Sequence, residues 1–209
     1  MLPPGIREAR LLRDQGGVRV YRAVGAGGPV LVRIAQAAAP GEALAELEAL
    51  RGLSGPGLAL PREFGLLADG SLWVARPWIE GTTLEGWAAQ RRAEELLPVL
   101  AEVAGALARL HGAGFVHGDL KPSNVLVAAA GGVWLADFGL SRRQAGSAAL
   151  PGELAAGGTP FYAAPELRAG GAPTPASDLF ALGMLALRCL CPLTLSPRDF
   201  YAHFPAQPA

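Results

Sequence analysis

Apolar positions along the chain change their spacing several times, and each change marks an element. Val18, Val20 and Val24 share one side of an alternation with Arg22, while Arg19, Tyr21 and Ala23 take the other, the period-two pattern of a strand. Gly25-Ala26-Gly27-Gly28-Pro29 then turns the chain into a second apolar run, residues 30–34. Over residues 41–53 the period lengthens to that of a helix, with Leu44, Leu47 and Leu50 on one side. Asp69-Gly70 lies between the apolar runs 64–67 and 72–75, a strong signal for a tight hairpin. Residues 96–110 form a longer amphipathic helix that stops at Gly112. His111 sits at the end of that helix, where packing or capping is the ordinary role, and it is given no chemistry. Val125-Leu126-Val127 and Val133-Trp134-Leu135-Ala136 flank Gly131-Gly132 and predict a second hairpin. Residues 179–187 are apolar but stop at Arg188 and meet Pro192, too short to span a bilayer, and predict a buried helix.

Composition narrows this picture. A chain of 209 residues that is 51% hydrophobic can bury a substantial core. Its formal net charge is zero, so neither nucleic acid nor an anionic membrane surface is expected as a partner. The first residues, Met1-Leu2-Pro3-Pro4-Gly5-Ile6-Arg7-Glu8, have no apolar stretch of the signal-peptide kind, and a cytoplasmic location is the expectation. Cys189 and Cys191 are too sparse for a disulfide framework or a zinc site, and packing at a helix end is their expected role.

Charge usage brings in candidate chemistry. Of the eighteen Lys and Arg residues, Lys121 is the sole lysine, and it sits in His117-Gly118-Asp119-Leu120-Lys121-Pro122-Ser123-Asn124. A lysine is a compact point charge where arginine is a planar fork, so its use beside Asp119 and Asn124 points to a site built for one charge. The hairpin after Asn124 returns the chain to its starting end and brings Asp137 close to Asn124. Asp119, Asn124 and Asp137 then converge as oxygen donors around one ammonium group. Hard oxygen donors in small number suit Mg²⁺ shared with phosphate groups.

These motifs resemble those of the protein kinase superfamily, specifically the serine/threonine kinases of bacteria. His117 to Asn124 resembles the catalytic loop, and Asp137-Phe138-Gly139 the metal-binding motif. Gly158-Thr159-Pro160-Phe161-Tyr162-Ala163-Ala164-Pro165-Glu166 resembles the end of the activation segment. Ser177-Asp178, followed by Leu179-Phe180-Ala181-Leu182-Gly183, resembles the start of the buried helix under the catalytic loop. The resemblance implies an α+β, two-lobed fold in a single domain. Residues 1–78 would be a small antiparallel lobe carrying one helix, and 79–209 a mainly helical lobe lacking its last helices. It implies ATP and Mg²⁺ as cofactors and a protein as substrate or partner. Asp119 would take the substrate hydroxyl's proton, Lys121 would offset charge on the γ-phosphoryl group, and Asn124 and Asp137 would hold Mg²⁺. Thr159 would bond to the catalytic Asp and Lys, and Asp178 would brace the loop from below. Val20, Arg33, Glu46, Pro77 and Ile79 would complete the ATP site. Pro77 would offer its carbonyl to the adenine amine and Ile79 its N–H to the ring.

The first eighty residues depart from the family pattern. The three glycine positions of the phosphate-covering loop hold Arg13, Gln15 and Val18, with Gly16 and Gly17 between them. Val18 resists the positive φ that such a loop uses. The strand of the family lysine reads Val30-Leu31-Val32-Arg33, so Leu31 is large where the adenine slides in, and Arg33 is free to clamp Glu46 with two hydrogen bonds. Arg76 stands at the gatekeeper position, where a neutral side chain is usual. Gly118 replaces the arginine that would meet a phosphorylated activation segment, so switching through Ser141, Ser147 or Thr159 by that contact is not expected.

The chain stops soon after Pro192, and Glu166 would ordinarily pair with an arginine from helices beyond that point; Arg198 is the available substitute. Apolar surface under those helices would then favour self-association through the shortened lobe. Three functions compete at this stage. They are an active serine/threonine kinase, a pseudokinase that holds a partner, and, more remotely, a small-molecule phosphotransferase, whose loop also starts His-Gly-Asp. The four groups Asp119, Lys121, Asn124 and Asp137 favour the first.

Overall fold

In the computed structural model, residues 2–89, 91–138, 142–143 and 161–190 are described, with 142–143 described in backbone alone. The chain divides into two compact units, Met1–Glu80 and Gly81–Ala209.

The first unit is an antiparallel sheet. Its strands are β1 (Arg7–Gln15), β2 (Val18–Gly25), β3 (Gly28–Ala35), β4 (Glu63–Leu66) and β5 (Leu72–Pro77), in the order β1-β2-β3-β5-β4. Alternation decides what each face carries. Val30, Val32 and Ile34 of β3 and Trp73 and Ala75 of β5 point to one side and are buried with Ile6, Ala23 and Leu67. The other side carries Val20, Arg33 and Val74 on one rung, and Arg22, Leu31 and Arg76 on the next. Helix α1 (Pro40–Arg51) has Pro40 in its first turn, where the missing N–H costs nothing. Twelve residues are marginal as an isolated helix, so α1 depends on packing. Leu47 and Leu50 are buried, Leu44 is half-buried, and Arg51 lies over the Phe64 ring of β4. Burying Leu50 fully contributes roughly 1.5–3 kcal/mol.

The β1–β2 connection is a tight turn. Gly16 and Gly17 form the whole turn, with φ of 60° and 75°, and Gln15 pairs directly with Val18. Both positive φ values fall on glycine, as a two-residue hairpin turn matched to strand twist demands. Val18 is therefore the first residue of β2 and is not asked to adopt positive φ.

The second unit contains α2 (Leu84–Ala88), α3 (Ala93–Gly112), α4 (Pro165–Arg168) and α5 (Pro175–Leu190) among its described residues. The three-stranded sheet is β6 (Gly81–Thr83), β8 (Val125–Ala128) and β9 (Val133–Leu135), ordered β6-β8-β9, while β7 (Phe115–Val116) pairs with β10 (Arg142–Arg143). Helix α3 starts three residues before the apolar pattern does. The Glu95 side chain accepts from the Arg92 N–H at 3.1 Å, and Glu94 and Glu95 place negative charge at the positive end of the helix. Leu96, Val99, Leu100, Val103, Ala106, Leu107 and Leu110 then form a buried stripe with helical spacing. Cys189 is half-buried near the end of α5, and burial pushes its thiol pKa up, which fits packing. Among the described residues no helix is long and apolar enough to cross a membrane.

Strand β6 passes close to β8. A Cβ at Gly81 would overlap Val127 O and lie 2.8 Å from Ala128 Cα, both backbone atoms. Gly81→Ala is therefore expected to destabilise the protein by about 1–3 kcal/mol through overpacking, read as a lower urea midpoint. An unchanged midpoint would show that β6 pairs less closely with β8.

Candidate active site

The site is built around the end of one helix and the start of another. Helix α3 ends at Gly112, Gly114 turns the chain with φ of 83°, and β7 leads into the loop 117–124. Below that loop, α5 begins with a reciprocal cap. Thr174 Oγ1 accepts from the Ser177 N–H at 3.2 Å, and Ser177 Oγ accepts from the Thr174 N–H at 2.9 Å. The cap fixes the first turn of α5 and so fixes Asp178, whose side chain is 2% exposed. The Asp178 carboxylate accepts from the His117 N–H at 2.7 Å and the Gly118 N–H at 2.9 Å, and meets His111 Nε2 at 2.8 Å. Two successive backbone donors can aim at one carboxylate because Gly118 has φ of 77°, a conformation open to glycine. The glycine that breaks the family pattern therefore has a local steric reason.

His117 ties this loop to the strand that carries Asp137. Its buried ring accepts from the Asp119 N–H through Nδ1 at 3.3 Å, so Nε2 carries the proton and donates to Ala136 O at 3.1 Å. The ring lies 5.3 Å from Phe138, centroid to centroid. On the other side of Ala136, its N–H donates to Asn124 O at 2.8 Å. Both backbone groups of the residue before Asp137 are thus fixed. Asp137 itself has φ of 64°, a strained value for a residue with a Cβ, which persists only where the surroundings enforce it.

Asp119, Lys121 and Asn124 come together, and the Asp137 charge is felt at Asp119. Lys121 Nζ donates to Asp119 Oδ2 at 2.6 Å. Asn124 Nδ2 donates to Asp119 O at 2.8 Å and to Asp119 Oδ2 at 3.1 Å. Burial raises the Asp119 pKa, the Lys121 ammonium opposes that shift, and the Asp137 charge adds to it. The net direction is upward, because the carboxylate loses more hydration than one ammonium returns. With its amide nitrogen spent on Asp119, Asn124 keeps Oδ1 as an oxygen donor, and its backbone carbonyl accepts from the residue before Asp137. An amide oxygen and a carboxylate, both hard, fit a Mg²⁺ ion that takes its other ligands from phosphate and water.

The remaining candidates divide as follows. Thr159 and Arg198, with Gly139 and residues 158–160 of the activation motif, lie outside the described residues. Glu166 is exposed on α4, and its carbonyl accepts from the Gly171 N–H at 2.8 Å. In the first unit, Val20 stands directly opposite Arg33 on the face away from the core. Arg33 lies on β3 opposite Val74, and Glu46 is half-buried on α1. Arg76 Nη1 donates to Pro77 O at 3.1 Å, so the carbonyl expected to meet an adenine amine already accepts from a guanidinium. Ile79 follows in the same segment, half-buried. The cross-links made by His111 and His117 were not foreseen. The nearest sequence signal was a histidine placed at a helix end and another opening the loop, and neither spacing names a partner.

Comparison with known proteins agrees with this geometry. The family profile described as protein kinase domain matches residues 43–202. The chain is 35% identical over 144 residues to serine/threonine-protein kinase PknK of Mycobacterium tuberculosis, covering 67% of this chain and 13% of the relative. It is 35% identical over 151 residues to serine/threonine-protein kinase PknJ of Mycobacterium bovis, covering 69% and 25%. With serine/threonine-protein kinase PknL of Mycobacterium tuberculosis it shares 39% over 115 residues, covering 54% and 29%. The chain thus spans less than a third of the length of each of these curated relatives.

Two outcomes are expected from this geometry. Asp178→Ala leaves two loop N–H groups and His111 without their acceptor and should cost about 3–5 kcal/mol in denaturant unfolding, whereas a surface-like loss under ~1 kcal/mol would remove Asp178 from its bracing role. Asp119→Asn should gain stability relative to the parent as pH rises through the carboxylate range. The native Asp119 holds its proton to higher pH than the unfolded chain, so between the unfolded and folded pKa values ionisation favours unfolding, and above both the difference is constant. Parallel stability-versus-pH curves for the two proteins would contradict the raised pKa.

Proposed function

The chain belongs to the protein kinase domain family, and from that membership we propose that it transfers the γ-phosphoryl group of a Mg²⁺-bound nucleoside triphosphate, ATP in the family's ordinary usage, to a serine or threonine hydroxyl of a protein. The observation that carries the reading is the convergence of Asp119, Lys121, Asn124 and Asp137, with Lys121 2.6 Å from Asp119. Asp119 accepts the proton of the attacking hydroxyl, and burial raises its basicity for that step. Lys121 offsets the charge that spreads over the equatorial phosphoryl oxygens. Asn124 Oδ1 and the Asp137 carboxylate are the groups that would hold Mg²⁺, and the ion would supply positive charge to offset that of the phosphoryl group. Thr159 would steady Asp119 and Lys121 from the activation segment. The lysine two residues after the aspartate supports a serine/threonine acceptor over tyrosine.

A second reading, a pseudokinase that holds a partner protein, is favoured by a separate observation: the Arg76 guanidinium lies on Pro77 O. Leu31 and Arg33 on neighbouring positions of β3 also reshape the nucleotide face.

Phosphoryl transfer from labelled nucleotide with Mg²⁺, to the protein itself and to a generic Ser/Thr substrate, separates the two. Asp119→Asn should lower the rate about 10²–10⁴-fold, and Asp137→Asn should abolish Mg²⁺-dependent transfer while both variants still unfold cooperatively. No transfer by a folded protein, together with no stabilisation by any nucleotide, would leave the partner-holding reading.

A further inference from the structure

The sheet of the first unit gathers its cations on one side. Register pairs place Arg7, Arg10, Arg13, Arg22, Arg33 and Arg76 on the face away from its core, and the pairs that make up this face contain no Asp or Glu. Glu80, beyond the end of β5, offsets Arg22. One irregularity makes the face this basic. Arg10 and Arg13 are an odd number of positions apart, so a regular strand would send them to opposite faces. Leu11 pairs with Tyr21 and Arg13 with Val20, which leaves Leu12 as the extra residue of a bulge and returns Arg13 to the side of Arg10. The bulge does not bury Leu12, which is 46% exposed, so what it changes is the direction of Arg13. Arg13 is itself exposed, and among the described residues it enters no ion pair.

Arg13, Val20 and Arg33 lie side by side on β1, β2 and β3. Two strand spacings separate the two arginines, roughly 9–10 Å between backbones. Long side chains on either side of a valine can close on one anionic group between them. The backbone nearby offers less. Gln15 pairs directly with Val18, so a turn of two glycines stands where a longer loop could wrap phosphates. Guanidinium forks give phosphate oxygens paired, charge-assisted donors without any such loop.

Resting on the nucleotide-dependent reading above, we propose that Arg13 is a phosphate-binding residue of this chain. It works with Arg33 across Val20, and together they hold the nucleotide's phosphate chain by side chains in place of loop N–H groups. The anion then offsets the repulsion that like charges on adjacent strands impose. A charge on an edge strand also discourages pairing with another chain. That role alone would leave nucleotide affinity untouched when Arg13 is neutralised.

The test is a set of binding isotherms for Mg-ATP, adenosine and Mg-tripolyphosphate on the whole chain, on Arg13→Gln and on Arg19→Gln, with cooperative urea unfolding as the check on each fold. Arg19 is opposite Asp14 on the other face of the same hairpin, so its variant removes equal charge without touching the arginine face. The expected result is that Arg13→Gln weakens Mg-ATP about tenfold or more and leaves adenosine unchanged, while Arg19→Gln binds like the parent. Equal weakening of ATP and adenosine by Arg13→Gln would make its effect structural and overturn the assignment, as would an unchanged ATP affinity. ATP weakened as much by Arg19→Gln would trace the effect to net charge and overturn it as well. Tripolyphosphate binding as tightly as ATP, with no binding of adenosine, would overturn the nucleotide as the source of the phosphates. Absence of binding by all three ligands, in three folded proteins, overturns the nucleotide reading itself and this inference with it.

Discussion

The buried carboxylate of Asp178 is the constraint on which the described active-site geometry depends. A carboxylate with 2% side-chain exposure is stable only when hydrogen bonds replace its lost water. Here they come from two successive backbone N–H groups and a histidine, all from the segment that ends α3 and opens the loop 117–124. Satisfying one buried charge thereby sets the backbone of His117 and Gly118, and that sets where Asp119 starts. His117 passes the constraint on through Ala136 to the strand end, so the positive φ of Asp137 is enforced and not incidental. Position propagates from a helix cap to Asp119 and Asp137 through these hydrogen bonds.

That chain of dependence explains what could be read in the sequence. Period-two and helical spacing located β2, β3, α1, α3 and both later hairpins, because those patterns are local consequences of which face is buried. The meeting of Asn124 with Asp137 was legible for the same reason, since a hairpin must return. The His111–Asp178 contact was not, because it joins positions far apart in sequence through side chains alone. At Gly16-Gly17 the family's loop drew attention to Val18, while the glycines themselves specified a tight turn. Arg76 was recognised as out of place, but only a three-dimensional neighbour could show that it had taken the carbonyl of Pro77. Thr159 and the rest of the activation motif rest on the sequence resemblance.

The two units carry different kinds of departure from the family. In the second, Gly118 has a local explanation in its φ of 77°. In the first, arginines accumulate on the face of the sheet away from its core. Arg10, Arg22 and Arg76 lie along one rung and Arg13 and Arg33 along the next. Like charges placed this closely across strands oppose folding unless anions or acidic groups offset them, and Glu80 does so for Arg22. A face of this composition, rich in cations, is of a kind that suits anionic groups.

Amide hydrogen exchange at His117 and Gly118 tests the central dependence most directly, because those two N–H groups are the ones that Asp178 holds. The account predicts that both exchange only through global unfolding, with opening free energies equal to those of the slowest amides in α3. Exchange of either amide at the rate of an unprotected loop would contradict it, since the loop would then take its position from something other than the buried carboxylate.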